Sequence, residues 1–121
     1  MWLVIAALNL ALAVILGAFG AHALKGRTSP EQLAWWHTAT EYFFVHALGL
    51  LIIAVVMRVL PSLKLGSAAW ALQIGMLLFC GSLYLMTLGA PRWFGAITPI
   101  GGLALISGWL LLAYQAWRSL P

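Results

Sequence analysis

Residues 2–24 read WLVIAALNLALAVILGAFGAHAL, and this stretch decides the fold class. It carries no Asp, Glu, Lys or Arg, and Asn9 is its only amide. As a helix, its 23 residues rise about 35 Å, enough to cross a hydrocarbon core of roughly 30 Å. Backbone N–H and C=O groups find no water there, so an isolated apolar segment must satisfy them within itself, as a helix. Lys25-Gly26-Arg27 ends the run. Ala21-His22-Ala23 resembles a signal-peptidase site. However, no Lys or Arg precedes the apolar run, and the run is long for a signal, so it reads as a retained span.

Three more segments of the same kind follow. The second opens on a helix-start signal, with Ser29 as N-cap, Pro30 in the first turn and Gln32 three residues after the cap. Its helical pattern continues to Leu60, and Pro61 breaks it. Such a helix is about 46 Å long, more than the hydrocarbon needs. Pro30 to about Thr40 is therefore expected in the headgroup layer, as a protruding end or a bent interfacial helix, with the span proper at 41–60. Trp35 and Trp36 suit that depth. The third span is predicted at 65–88 and the fourth at 96–117. Thr98-Pro99 reads as a second cap and first-turn pair. The connecting stretches are short, so neighbouring helices should be antiparallel.

Composition agrees with this reading. Hydrophobic residues make up 64% and charged residues 7% of the 121-residue chain, against about 25% charged in soluble domains. The fold class is therefore all-α and integral to the membrane: a four-helix transmembrane bundle, one domain over 1–121, with an interfacial helical stretch before the second span. The net charge of +4 is not a nucleic-acid footprint. Lys25, Arg27, Arg58, Lys64, Arg92 and Arg118 lie singly or in pairs between apolar runs. Under antiparallel topology Arg58, Lys64 and Arg118 fall on the side of both termini, and Lys25, Arg27 and Arg92 on the other. The positive-inside count ties, and the free amine tips the termini toward the cytoplasm. Cys80 is the sole cysteine, so no intrachain disulfide forms.

The clearest pattern is small residues at helical spacing. Asn9, Ala13, Gly17 and Ala21 share a face of the first segment. Ala71, Gly75, Ser82 and Gly89 share one on the third, and Gly101, Ala104 and Gly108 one on the fourth. Small side chains let backbones approach in lipid, where packing drives association. Gly17, Gly75, Gly101 and Gly108 are thus assigned to helix packing, within one chain or against a second copy.

Polar residues at membrane depth are the candidates for a site. His37 and Glu41 are four apart on one helix face, as are Tyr42 and His46 on another. Antiparallel topology brings His22, His37, Glu41, Tyr42, His46, Tyr84, Arg92 and Thr98 toward one membrane face, together with Thr87. Three readings compete. Glu41 pairs with Arg92 or a histidine and fixes the helices. Alternatively the group binds a ligand, ion or lipid headgroup. Least favoured is a metal held by His22, His37 and Glu41, because no H-E-x-x-H or paired-Cys motif supports one. Cys80 and Ser82 have no acid and base at diagnostic spacing, so no catalytic residue is assigned and no cofactor is expected. Trp2, Trp35, Trp36, Trp93 and Trp117 read as interface anchors, whereas Trp109 lies mid-span and packs.

Several stretches are familiar. Gly17-Ala-Phe-Gly-Ala-His22, Trp36-His-Thr-Ala39 with Tyr42, His46-Ala-Leu48, Gly81-Ser-Leu-Tyr84, Thr98-Pro-Ile-Gly-Gly102 and Gly108-Trp109 are similar, in the same order, to the YgdD-like small bacterial membrane proteins. That is a family of unknown function with vertebrate relatives. Cys80 departs from the serine expected before Gly81. The resemblance implies a four-helix protein of the bacterial plasma membrane and supplies no activity, substrate or catalytic residue. The functional expectation is a non-catalytic module that interacts with lipid, with other membrane proteins or with itself. The alternative is a small transporter or ion or proton pathway, for which the far half of the bundle offers only Asn9, Gln73 and Gln115; a cofactor- or metal-binding membrane protein is the least favoured.

Overall fold

The computed structural model describes residues 1–121 as an all-helical chain. Its four long helices are α1 (Trp2–His22), α2 (Pro30–Val59), α3 (Gly66–Thr87) and α4 (Ile97–Arg118). Each is long and apolar enough to cross a membrane. Consecutive helices run antiparallel, with both termini at one end of the bundle.

The breaks have local causes. After α1 the chain turns through Gly26 at φ 79°, a left-handed conformation that glycine adopts without steric cost. Ser29 then caps α2: its hydroxyl accepts from the Gln32 N–H, and the Gln32 side chain accepts from the Ser29 N–H, both at 3.1 Å. This is the capping box that the sequence predicts. The interfacial stretch, Pro30 to about Thr40, is continuous with the second span in one unbroken helix of 30 residues. A 3-10 turn at Pro61–Leu63 joins α2 to α3. Gly89, at φ 109°, reverses the chain after α3.

The start of the fourth helix corrects an expectation. Thr98 is not an N-cap. A 3-10 turn over Arg92–Ala96 feeds directly into α4, whose first residue is Ile97. Amides that a free helix start would leave open are already used; the Ile97 N–H, for example, bonds to the Phe94 carbonyl. Thr98 lies within the first turn, and its hydroxyl turns inward to Ser82.

In this arrangement α2 and α3 are central, with α1 against α2 and α4 against α3. Half of the apolar window of α3 is buried, a larger share than for any other helix. Between α3 and α4 the packing is closest at three glycines. A Cβ on Gly101 would collide with the Phe79 backbone nitrogen and sit 2.7 Å from its Cα. One on Gly75 would lie 2.9 Å from the Leu105 backbone nitrogen, and one on Gly108 would lie 2.7 Å from a Leu72 methyl. Gly17, by contrast, has room: its Cβ would meet the Thr40 methyl at an ordinary 3.4 Å. The tight glycine of α1 is Gly20, which lies flat against the Trp36 ring. Ala21 and Gly89 are exposed and pack against nothing tightly.

Candidate functional site

Trp36 is the first surprise of the interior. The sequence places it as an interface anchor, yet it is 1% exposed. The reason is its neighbour across the helix boundary. Gly20 presents no side chain, so the indole lies on the α1 backbone and its Nε1–H donates to the Leu16 carbonyl at 2.8 Å. The same ring meets Phe19 at 5.5 Å and Tyr84 at 4.4 Å between centroids. One side chain of α2 therefore joins α1, α2 and α3.

Around it runs a set of polar contacts between helices. The Thr40 and Tyr84 hydroxyls are 2.8 Å apart, and those of Ser82 and Thr98 are 2.6 Å apart. The Thr87 hydroxyl lies 3.0 Å from the Gln32 carbonyl and 2.9 Å from that of Leu83. Nearer mid-span, Asn9 of α1 donates to Gln73 of α3 at 2.6 Å. No buried side-chain nitrogen or oxygen lacks a partner. In hydrocarbon an unsatisfied polar group costs several kcal/mol, about what is needed to exclude a poorly paired arrangement.

The eight residues assigned to a polar cluster separate into groups. Tyr84 and Thr98 are engaged as just described, each with a different partner. His46 is buried, with its ring 5.9 Å from Tyr42 and nearly parallel to it. Its Nδ1 lies 2.8 Å from the Tyr42 carbonyl, and because a carbonyl only accepts, Nδ1 carries the hydrogen. The other face of His46 is tilted against Trp109, 5.8 Å away, which in turn covers Gly49. His22, His37, Glu41 and Arg92 are all exposed and take no part in these contacts. Arg92 instead shares a surface cavity with Glu31, Gln32 and Trp35. The pairing of Glu41 with Arg92 or a histidine is therefore not formed, and His22, His37 and Glu41 do not converge into a ligand set. The cause is helical phase. His37 and Glu41 project about 100° or more round α2 from Trp36, onto a face that is exposed, while Trp36, Thr40 and Phe43 turn toward the other helices.

α1 and α3 do not close on each other over their whole length. Between them lies a cavity of about 110 Å³, lined chiefly by apolar side chains, with Asn9 on the α1 side and Gln73, Cys80 and Tyr84 on the α3 side. Sequence reasoning missed Gly20, Gly49 and the Asn9–Gln73 pair. Spacing along one helix does not reveal which residue of another helix it will face.

The stretches that carry chemistry-bearing side chains are thus the stretches that join helices: Gly20 to Trp36, Thr40 to Tyr84, Ser82 to Thr98, Gly108 to Leu72. Residues 16–102 match the model of a family described as "Protein of unknown function (DUF423)". A UPF0382 membrane protein of Staphylococcus haemolyticus is 41% identical over 118 residues, covering 98% of this chain and 96% of its own. The UPF0382 membrane protein YwdK of Bacillus subtilis is 39% identical over 120 residues, 98% of each chain. One from Staphylococcus epidermidis is 44% identical over 111 residues, 92% of this chain and 90% of its own. No solved structure matches the chain. With the match spanning most of the chain and four apolar helices long enough to cross a bilayer, this is a bacterial multi-pass membrane protein that belongs to the DUF423 family.

Proposed function

We propose that the protein is a non-catalytic membrane module that holds lipid at its surface and packs against other membrane proteins or a second copy of itself. The observation that carries this reading is the division of its polar side chains. Those inside the spans bond helix to helix, as in Asn9–Gln73 and Ser82–Thr98. Of the residues with acid–base capacity, His22, His37 and Glu41 stand apart on the outer surface, placed to meet headgroups or a partner, while the buried His46 is held by the Tyr42 carbonyl of its own helix. We infer as well that the YgdD-like proteins and their vertebrate relatives share this bundle, and that the termini lie in the cytoplasm. Native mass spectrometry of the whole chain, released with its lipids, tests the reading. Phospholipid or a discrete protein partner should be retained, and a bare monomer with neither would overturn it.

One observation favours a second reading, an ion or proton pathway. The cavity between α1 and α3 connects the level of Tyr84 with the Asn9–Gln73 pair. Flux into liposomes that is lost in Asn9→Leu would support a pathway, and absence of flux in the parent protein would end it.

A further inference from the structure

The turn between α2 and α3 and the end of α4, both on the terminal side, form a cavity that differs from every other in the molecule. Its volume is about 230 Å³, and its lining, Ser62, Lys64, Gln115, Arg118 and Ser119, contains no hydrophobic residue. On the same scale, a single water needs roughly 10–15 Å³. Two cations face the space. The chain has two carboxylate side chains, Glu31 and Glu41, and both lie in the first half of α2, which starts at the opposite end of the bundle. Nothing acidic among the side chains at this end neutralises Lys64 and Arg118.

The backbone sets both charges. Lys64 ends the 3-10 turn in a left-handed conformation, φ 51°, between Leu63 and the buried Leu65. Arg118 closes α4, with its guanidinium carbon 5.6 Å from the centre of the Tyr114 ring. Trp117 and Leu120, neighbours of the cavity's own Arg118 and Ser119, are 69% and 67% exposed. The position is thus a polar, doubly cationic recess at the membrane surface with exposed apolar side chains beside it.

We propose that this recess binds the phosphate of an anionic phospholipid. Lys64 and Arg118 hold the phosphate oxygens, the Gln115 amide and Ser62 hydroxyl offer further donors, and Trp117 and Leu120 lie along the acyl chains. The adjacent apolar pair favours a lipid over free phosphate, which would gain nothing from it. Two cations with no acidic side chain at their end of the bundle favour a headgroup with net negative charge over a zwitterionic one, since each Lys or Arg near an anionic bilayer surface contributes about 1 kcal/mol of attraction. The proposal rests on the lipid-holding reading above and names the lipid class and the place.

The test is native mass spectrometry of the detergent-purified full chain with phosphatidylglycerol and phosphatidylcholine in equal amounts. Phosphatidylglycerol should be retained preferentially. Lys64→Gln and Arg118→Gln should each weaken its retention about five-fold, and the double variant about 25-fold. Arg92→Gln, on the opposite face, should leave retention unchanged, and all variants should melt like the parent because both side chains are exposed. Equal retention of the two lipids overturns the proposal, as does a double variant that keeps phosphatidylglycerol. Loss of the lipid on adding inorganic phosphate alone would show a free-anion site and overturn it too. If the double variant keeps its lipid, this recess fails while the broader reading stands. If the parent chain retains neither lipid nor partner, both fail.

Discussion

The outer helices, α1 and α4, are attached in different ways. α4 meets α3 through glycines. At Gly101 the close neighbour is main chain, which cannot yield, and at Gly75 the Leu105 side chain at 2.7 Å is backed by its own backbone nitrogen at 2.9 Å. α1 has no such contact. Gly17 has room to spare, and the helix is held by the Trp36 indole lying on Gly20, by that indole's bond to the Leu16 carbonyl and by the Asn9–Gln73 amide pair. A backbone contact in lipid is short-range and rigid, because only packing drives association there. An attachment through side chains concentrates the energy in a few groups and leaves gaps, here the 110 Å³ cavity between α1 and α3. The lesson is that one bundle can carry a seam that tolerates no added atom beside one that depends on a single ring.

The sharpest break of this contrast is Trp36→Ala. Removing the indole should cost about 3 kcal/mol, the low end of the range for a buried tryptophan, because in lipid the lost term is packing rather than transfer from water. The loosened helix should be α1. Cys80, which is buried and lines the cavity facing α1, then reports on it: maleimide labelling in detergent should rise well above the parent's, since a buried thiol is otherwise inert. Unchanged labelling with a lowered melting temperature would mean that the damage lies elsewhere.

Next in size is Gly101→Ala. Its Cβ runs into the Phe79 backbone, so the two helices must part, at a cost of about 1–3 kcal/mol. Melting in detergent should fall while Cys80 labelling stays near the parent value, because the opened seam is on the far side of α3. A rise in labelling as large as that of Trp36→Ala would show that the two seams are not independent.

Smaller effects should come from the polar pairs. Asn9→Leu leaves Gln73 without its partner and should lower stability by about 0.6 kcal/mol, and at most about 1.7. The double variant Asn9→Leu with Gln73→Leu should recover most of the loss, because replacing both partners strands neither. Melting curves of the three variants decide this; a double variant worse than the single would point to a bridging role for Gln73 that the pair alone does not explain. Smallest of all is Gly17→Ala, which should be neutral or stabilise by up to about 1 kcal/mol through helix propensity. A marked loss of melting temperature there would refute the room that the structure gives it.

Much of the architecture was legible before any coordinates. The spans follow from apolar length, and the capping box at Ser29 and Gln32 is written in four adjacent residues, so it forms wherever that helix starts. The small-residue faces of α3 and α4 also pointed to the seam they build. Other local signals misled. Thr98-Pro99 has the form of a helix start, but the chain upstream was already turning in a 3-10 helix, and Ser82 lay within reach of the hydroxyl. Trp36 beside Trp35 reads as an interfacial pair, but the two side chains leave the helix about 100° apart, and only one of them meets Gly20.

The sequence by itself determined that the chain crosses a bilayer, how many times, and which end carries no acidic side chain. Those properties belong to single segments, and the solvent sets them: hydrocarbon demands internally bonded helices, and charges are kept to the connections and to the parts of the helices near the bilayer surface. Only the tertiary structure decided which faces meet. It put Trp36 inside and Glu41 outside, paired Asn9 with Gln73 across 64 positions of sequence, and brought Lys64 and Arg118 to one recess. Each of these depends on the rotation of one helix against another, which in lipid is fixed by packing and by a few hydrogen bonds between residues far apart in the chain.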